Sequence, residues 1–392
     1  MPLLFHPHVA GIVGIIALAI WLHVFFGRGW FWRVKKLDAD RTEDLALANL
    51  PSVMAVVPAR NEADTIGQVV KSLLAQDYPG DFSLVIVDDH SGDSTAAIAL
   101  QAASTTATPA RLRVLSADAL PDSWTGKVWA MNCGVAAASA NPPAFYWFTD
   151  ADVNHSPDTL RRLVAQAAQQ RADLASLMVL LQAKTLPERA LIPAFLYFFL
   201  MLYPPRWIAD DELNTAGAAG GCVLLRRDAL ERLGGLAAIR KEVIDDCALA
   251  KKVKQSGGRV WMGLTRKSSS LRAYGSWSEI RDLIARTAFT QLRYSALLLA
   301  GTLAGMLLTY VAPVALLFAQ DPIARLLGLA SWLLMSFSFM PTMRFYRLSP
   351  LGAPLLPLAA LFYTYATLLS AMRYWRGRGG QWKGRAQATK RP

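Results

Sequence analysis

The amino-acid sequence predicts an α/β domain with a mostly parallel sheet, held beside apolar segments that suit a membrane. Short runs of β-branched and aromatic residues alternate with helical patterns, as where Ser52–Val57 precedes Thr65–Gln76. These strand runs are apolar along their whole length, which is typical of parallel strands covered on both faces. The chain of 392 residues is also 53% hydrophobic and only 18% charged, a composition too apolar for a plain soluble enzyme.

Charge and cysteine content narrow the class of protein. The formal net charge is +12, and basic residues cluster beside apolar segments at Arg28–Lys36 and Arg373–Arg391. Anionic lipid headgroups are the natural partner of such clusters, and no nucleic-acid module is visible. The three cysteines lack Cys-x-x-Cys spacing, which argues against a zinc site or a disulfide framework and fits a reducing compartment.

Residues 1–27 are predicted to form an N-terminal transmembrane anchor. Leu3–Phe26 is apolar apart from scattered histidines, and a run of this length spans the roughly 30 Å hydrocarbon core of a bilayer. Residues 28–50 follow as a basic juxtamembrane linker, whose charge places the next domain in the cytoplasm, at the inner membrane. A cleaved signal peptide is the alternative, but the positive charges lie after the apolar run and no small-residue cleavage site follows it.

The apolar run Tyr146–Phe148 leads into Asp150 and Asp152. A buried strand cannot bury free carboxylates, so both acids belong at its carboxyl tip, where open α/β sheets bind ligands. Two hard oxygen ligands suit Mg²⁺ or Mn²⁺ that also holds phosphate oxygens. For an isolated Asp-x-Asp pair, a solvated turn or a helix cap is the alternative interpretation.

Two further strand ends are expected at the same edge of the sheet. The first strand is predicted to stop at Pro58 and to be followed by Arg60 and Glu62, and the second strand ends in Asp88 and Asp89. No glycine-rich dinucleotide or Walker loop follows the first strand. Taken alone, Asp89 would be interpreted as a helix cap, but three polar strand ends together predict a nucleotide site.

Three other positions carry candidate chemistry. Lys127 follows a glycine at a helix entrance, where a backbone N–H and an ammonium group can meet phosphate; a surface lysine is the alternative. Gly220 and Gly221 allow the backbone to approach a ligand closely. Asp245 and Asp246 open another helix. One acid there is routine as a cap, and the second is a candidate general base, because partial burial raises a carboxyl pKa.

The remaining segments are predicted to hold the catalytic domain, residues 51–275, at the bilayer. Leu191–Trp207 is expected to be interfacial, because prolines interrupt it and it is too short to span. Residues 276–294 predict an amphipathic interfacial helix, and residues 295–372 contain three apolar stretches. Three spans would place the basic tail, residues 373–392, outside the cell. We therefore expect one stretch, the first by preference, to be re-entrant or interfacial, or the tail to break the positive-inside rule.

Five motifs occur in an order typical of a known family. They are Val56–Glu62, Val87–Ser91, Gly126-Lys127 with Asn132, Thr149–Asp152 and Ile244–Asp246. In this order they resemble the family 2 glycosyltransferases with the GT-A fold, which is Rossmann-like. The whole chain, including Leu191–Trp207, Gln291–Tyr294 and Trp382–Arg385, resembles the hopanoid-associated (hopene-associated) membrane glycosyltransferases, relatives of ceramide glucosyltransferase-like enzymes.

The resemblance implies a role for each matched residue. Nucleotide-sugar binding falls to Pro58, Arg60, Glu62, Asp88, Asp89, Lys127 and Asp150, and metal binding to Asp150 and Asp152. Asp246 matches the catalytic base, with Asp245 beside it where Glu is usual. The acceptor side is expected at Gly220, Gly221, Gln291 and Arg293, although Gln291–Tyr294 is one residue shorter than the Gln-x-x-Arg-Trp motif of processive members and ends in Tyr.

The function implied is transfer of a sugar, with inversion, from a nucleotide-sugar, expected to be a UDP-sugar, to a lipid acceptor, with a hopanoid suggested by the resemblance. Mg²⁺ or Mn²⁺ would be the cofactor, and the bilayer and the lipid would be the partners. Two alternatives remain open. A polyprenyl-phosphate glycosyltransferase would need basic residues such as Arg281, Arg286 and Arg293 near the membrane. A non-catalytic nucleotide-binding scaffold would tolerate loss of Asp246.

Overall fold

The computed structural model describes residues 7–36, 39, 50–377, 379, 381–382 and 385–386. About half of the predicted linker and half of the basic tail, with Lys383 and Gly384, lie outside the described residues. Within the described residues, one sheet contains eight strands: β1 Val53–Ala59, β2 Phe82–Asp88, β3 Leu112–Ser116, β4 Phe145–Phe148, β5 Val153–His155, β6 Leu174–Leu180, β7 Val223–Arg226 and β8 Val260–Ser270.

The α-helices alternate with these strands and then continue beyond them. They are α1 Pro7–Leu22, α2 Ile66–Leu74, α3 Thr95–Ser104, α4 Gly126–Ala136, α5 Thr159–Gln169, α6 Leu186–Leu202, α7 Pro205–Ile208, α8 Arg227–Arg232, α9 Asp245–Gln255, α10 Trp277–Gln291, α11 Ala296–Met306, α12 Ala312–Leu316, α13 Pro322–Phe345 and α14 Leu356–Trp375.

The strand order is β3-β2-β1-β4-β7-β6-β8-β5, which confirms the α/β class; the sheet is mixed, with four of its seven strand pairings parallel. The β3-β2-β1-β4 half is parallel, whereas β7 is antiparallel to both of its neighbours and β5 is antiparallel to β8. After β6 the chain stays at the carboxyl edge of the sheet through α6 and α7. It therefore re-enters the sheet from that edge, and β7 runs in the opposite direction.

Strand β1 does not stop at Pro58, as the sequence predicted, but continues to Ala59. The pairing of β1 with β4 ends at Val56, whose carbonyl accepts the N–H of Thr149. The next residue that faces this side is Pro58, because successive residues of a parallel strand bond to alternate neighbours. Its missing N–H therefore removes no ladder hydrogen bond, which is where a strand tolerates proline.

The two faces of the sheet bury separate hydrophobic clusters. Alternate residues of β1, such as Val53 and Val57, pack with α2, α3 and α5. Val56 on the other face belongs to a larger cluster that includes α4, α6 and residues of α13 and α14. Alternation of side chains along a strand separates the two sets. The second cluster joins the sheet to the apolar helices in one continuous core.

Five helical stretches among the described residues are long and apolar enough to cross a bilayer: His8–Gly27, Leu186–Ile208, Ala296–Leu316, Pro322–Phe345 and Pro350–Trp375. The predicted anchor accounts for the first, and the three predicted C-terminal stretches account for the last three. Leu186–Ile208 corrects the argument that this segment is too short, because α6 begins at Leu186 and continues through Pro193. It is also the stretch most deeply packed inside the protein.

Helices α10 and α14 lie side by side and run in the same direction. The Trp277 ring lies 6.1 Å from that of Phe362, and the Phe289 ring lies 5.5 Å from that of Tyr374. Between them Ser370 donates its hydroxyl to the carbonyl of Ala285 at 2.5 Å and accepts the N–H of Phe289 at 3.1 Å. The predicted amphipathic helix is thus fastened to α14 along its length.

Candidate active site

Lys127 lies at the centre of the carboxyl edge. It is the second residue of α4, and its Nζ lies 2.9 Å from Oδ1 of Asp150 and 3.2 Å from Oδ2 of Asp245. Burial alone would lower the pKa of Lys127, but the carboxylates of Asp150, Asp245 and Asp246 outweigh it and raise that pKa. The ammonium group therefore stays charged. It links Asp150, which follows β4, to Asp245 at the start of α9.

Asp152 lies in an excess of negative charge. Burial, followed by the carboxylates of Asp150 and Glu62, raises its pKa to about 6, and the hydroxyl of Ser270 donates to its Oδ2 at 3.4 Å. Crowded carboxylates of this kind suit a divalent cation. The described part of the chain contains no group of three or more His, Cys, Asp or Glu residues arranged to hold a metal. An ion at Asp150 and Asp152 would therefore need further oxygens, and the diphosphate of a nucleotide has them.

Asp246 faces the same space from the start of α9. The N–H of Gly220 donates to its Oδ2 and the N–H of Cys247 donates to its Oδ1, both at 2.7 Å. Burial and the neighbouring Asp245 nevertheless raise the pKa of Asp246 to about 6, against the lowering effect of Lys127 and the two N–H groups. A carboxyl held in this way is ionised at neutral pH and basic enough to accept a proton.

Gly220 is a site of close approach. A Cβ atom added there would lie 3.2 Å from Oδ2 of Asp246 and 3.3 Å from Nζ of Lys127. One added at Gly221 would lie 3.0 Å from Cγ2 of Val179. Gly220 therefore lets the segment before β7 pass close to Asp246 and Lys127, and Gly221 lets it pass close to Val179.

The loops that follow β1 and β2 contact each other, and only some of their residues line the cavity. Arg60 donates from Nη1 to the carbonyl of Asp89 at 2.5 Å, and the same atom lies 3.6 Å from Oδ2 of Asp89. The Asp89 side chain is fully buried, and Asp88 accepts a hydrogen bond from Ser91. Of the residues predicted to bind the nucleotide on these two loops, Pro58 and Glu62 line the cavity, while Arg60, Asp88 and Asp89 support the loops beside it.

A buried polar network that the sequence did not reveal lies beneath Asp150. Thr149 donates its hydroxyl to the carbonyl of Gly221 at 2.9 Å, and its Oγ1 lies 2.8 Å from Nε2 of His155. Nδ1 of His155 lies 2.8 Å from Oγ of Ser268. Burial lowers the pKa of His155 to about 3, so the ring is neutral. The network ties β4, β5 and β8 to the glycine segment, and no local pattern marks these residues.

One cavity of about 1020 Å³ joins these groups. Its floor carries Glu62, Lys127, Asp150, Asp152, Asp245 and Asp246, and its far wall comes from α6, α10 and α14. Gly220 and Gly221 line it, but Gln291 and Arg293 do not. Gln291 instead donates to the hydroxyl of Tyr203. The cavity also takes Thr125, Arg272, Tyr274 and Arg373 from parts of the chain that the sequence did not connect with the site.

Residues 54–234 match the family model described as glycosyl transferase family 2. This segment, just under half of the chain, is similar to glycosyl transferase family 2. Over 173 residues the chain is 31% identical to a beta-monoglucosyldiacylglycerol synthase of Synechocystis, and this match covers 38% of the chain and 34% of that protein. Over 119 residues it is 33% identical to a 4,4'-diaponeurosporenoate glycosyltransferase of Staphylococcus aureus, covering 30% of the chain and 28% of that protein. The chain thus spans about a third of the length of these curated relatives.

The fold of the chain also occurs in a solved structure. The chain superposes with a TM-score of 0.59 on a mannosyltransferase from Pyrobaculum calidifontis in complex with GDP-Man and Mn²⁺, at 21% identity. The alignment covers 93% of this chain and 99% of the other. The predicted GT-A fold is confirmed, with a mixed sheet. At this identity the likeness concerns the fold, and the roles of the individual site residues remain predictions.

Proposed function

We propose that the protein is an inverting, metal-dependent glycosyltransferase that moves a sugar from a nucleotide-sugar to a lipid hydroxyl. The observation that carries this proposal is the single cavity that joins Lys127, Asp150 and Asp152 to Asp246 and then to helices long enough to span a bilayer. A donor and an acceptor can meet there. We expect a UDP-sugar as the donor.

The donor end is assigned to the acidic floor and Lys127. Asp150 and Asp152 would hold Mg²⁺ or Mn²⁺, which when bound offsets the charge of the departing nucleotide diphosphate. Lys127 carries a fixed positive charge 2.9 Å from Asp150, where its N–H groups can also donate to the leaving diphosphate. The start of α4 adds backbone N–H groups to the same place.

The acceptor hydroxyl is assigned to Asp246. Its carboxylate is held by two backbone N–H groups and lines the cavity with Lys127 and Asp150. It would take the hydroxyl proton as the acceptor oxygen attacks the anomeric carbon on the face opposite the diphosphate. A single displacement of this kind inverts the configuration. Asp245 is assigned to the orientation of Lys127, which it contacts at 3.2 Å.

A lipid acceptor is supported by the walls of the cavity. Phe195 and Phe199 of α6 and Leu369 of α14 line it, so an apolar chain can approach from the side of the membrane helices. Two of the curated relatives are named for a diacylglycerol glycolipid and a diaponeurosporenoate. We further propose a hopanoid acceptor, a multi-pass location in the inner membrane and a cytoplasmic catalytic domain. The hopanoid rests on the resemblance of the whole chain.

A polyprenyl-phosphate acceptor is the second candidate. Of the three arginines expected for it, Arg286 lines the cavity, whereas Arg281 pairs with Asp282 at 3.0 Å and Arg293 is outside the cavity. In this reaction the acceptor phosphate itself would attack, and it would have to lie beside the carboxylates of Asp245 and Asp246. Their repulsion of an anionic nucleophile disfavours this candidate.

The proposal is tested by nucleotide diphosphate release from the protein purified in detergent. UDP- and GDP-sugars are compared with and without Mg²⁺ or Mn²⁺, after treatment with EDTA, and with and without a hopanoid-rich lipid extract. We expect release that requires both metal and lipid and that Asp246→Asn abolishes. Release without lipid would indicate a soluble acceptor. No donor binding in any combination would favour the non-catalytic scaffold.

A further inference from the structure

Three arginines from the C-terminal parts of α10 and α14 line the cavity. They are distant in sequence from the acidic residues of its floor. Arg286 lies on α10, Arg373 lies in the last turn of α14, and Arg376 follows that helix. Because the two helices run side by side in the same direction, their C-terminal halves lie together. The arginines therefore form one basic group, which we call the arginine rim.

Most of the charge on the arginine rim is not neutralised by the protein. Arg373 donates to Oδ1 of Asp282 at 2.7 Å, and Arg281 also contacts that carboxylate. Within residues 50–377, neither Arg286 nor Arg376 has a carboxylate within ion-pair distance, and both are exposed and line the cavity. Glu279, the other acid of α10 that lines the cavity, accepts the N–H of Gly275. A rim of this kind attracts an anion, and arginine is suited to the planar, multiply bonded recognition of phosphate.

The position of the rim indicates which anion. Tyr374 and Trp375 lie between Arg373 and Arg376, and such aromatic residues are enriched at the headgroup level of a bilayer. Helix α14 belongs to one of the candidate membrane spans, and Leu369, one turn before Arg373, lines the cavity with it. The rim therefore lies where an apolar wall meets charged side chains. A phospholipid fits this pattern, with its phosphate at the rim and its acyl chains against the apolar wall.

We propose that Arg286, Arg373 and Arg376 bind the phosphate group of a membrane phospholipid, while a separate hydroxyl at Asp246 accepts the sugar. The proposal rests on the glycosyltransferase function proposed above and specifies its acceptor surface. The phosphate bound here is not the nucleophile, because the proposed base Asp246 and Lys127, which is assigned to the departing diphosphate, lie at the other end of the cavity. The lipid is either the acceptor itself, carrying its hydroxyl to Asp246, or a neighbour that orders the cavity mouth around a neutral acceptor.

The first test measures lipid binding, so that it does not depend on turnover. The wild-type protein and the double variant Arg286→Gln/Arg376→Gln are loaded into phosphatidylcholine nanodiscs with increasing phosphatidylglycerol, and the phosphatidylglycerol retained on extraction is quantified. We expect the variant to retain at least fivefold less phosphatidylglycerol than the wild-type protein. Lys71→Gln, which removes an exposed charge from α2 on the opposite face of the sheet, is the matched control and should retain lipid like wild type.

The second test separates the two sources of phosphate. With a neutral hydroxylated lipid as acceptor, stimulation of diphosphate release by phosphatidylglycerol that disappears in the double variant identifies a neighbouring lipid. Glycosylation of phosphatidylglycerol itself, with its KM raised at least fivefold in the variant, identifies the acceptor.

Equal lipid retention by the variant and wild type overturns the proposal. So does a loss of nucleotide-sugar binding in the variant, because the arginines would then serve the donor. Failure of every donor to turn over, with lipid retention intact, would contradict the glycosyltransferase function and leave the lipid site standing.

Discussion

At the scale of single residues, Asp246 sets the expected pH dependence of the reaction. Its pKa is raised to about 6 by burial and by Asp245, so the carboxyl is protonated below that pH and cannot accept a proton. We expect kcat/KM to be constant at neutral pH and to fall at least about tenfold for each unit below pH 6, because Asp152, whose pKa is also about 6, has to be ionised as well. Initial rates measured between pH 5 and 8 determine this acidic side of the pH profile.

The same residue defines the loss expected on substitution. Asp246→Asn should lower kcat by at least about 10²-fold, in the range of a lost general base, with an unchanged circular dichroism spectrum. Asp81→Asn is a suitable control, because Asp81 is exposed and lies at the start of β2, on the opposite edge of the sheet. If Asp246→Asn kept more than a tenth of the wild-type kcat, Asp246 would not be the general base.

Gly220 gives a steric prediction. Gly220→Ala should place its methyl group 3.2 Å from Oδ2 of Asp246 and 3.3 Å from Nζ of Lys127, which displaces the base and the lysine. We expect activity to fall more than tenfold with little change in the midpoint of thermal unfolding. Gly301→Ala, where an added Cβ meets nothing within 4 Å, should behave as wild type. Full activity of Gly220→Ala would show that the close approach is not needed for turnover.

At the scale of elements, Glu188 fastens the start of α6 to the loop that precedes α10. The fully buried carboxylate accepts from the N–H groups of Lys184, Thr185 and Tyr274 at 2.7 to 2.9 Å. Glu188→Ala would leave these donors buried and unpaired, at a cost of about 3 kcal/mol. Thermal unfolding in detergent should show a clearly lower midpoint, whereas Glu231→Ala on the exposed face of α8 should not. An unchanged midpoint for Glu188→Ala would show that water replaces the carboxylate.

The elements also show where local patterns were sufficient. The strands before Asp88 and Asp150 and the helix starts at Lys127 and Asp245 follow from apolar runs and their polar ends. Strands β3, β5 and β8 were not predicted. Strand β3 is only partly buried, β5 is three residues long and carries Asn and His, and β8 is interspersed with Ser, Thr and Lys. Neighbouring strands decide the pairing of these strands, which leave only a weak period in the sequence.

At the scale of the whole molecule, the proposed topology places the proposed catalytic domain, residues 51–275, in the cytoplasm. A cysteine introduced as Asp81→Cys, at an exposed position, should react with a membrane-impermeant maleimide in inverted vesicles and not in intact cells. Cys222 and Cys247 are buried, so the background from these thiols should be low. A parallel sample of the unsubstituted protein measures the remaining background from Cys133. Labelling in intact cells would reverse the proposed orientation.

Sequence alone was enough to predict the α/β class, the acidic strand ends and the apolar segments, because these depend on the period of hydrophobic residues and on where carboxylates interrupt it. Tertiary structure alone decided which of these residues share a cavity. It brought Asp246 to Lys127, placed Asp89 against Arg60 of the neighbouring loop, and kept Gln291 outside. It also brought Arg286 together with Arg373 and Arg376 through the packing of α10 on α14. Contacts between distant segments depend on the shapes of packed elements, and no local pattern records them.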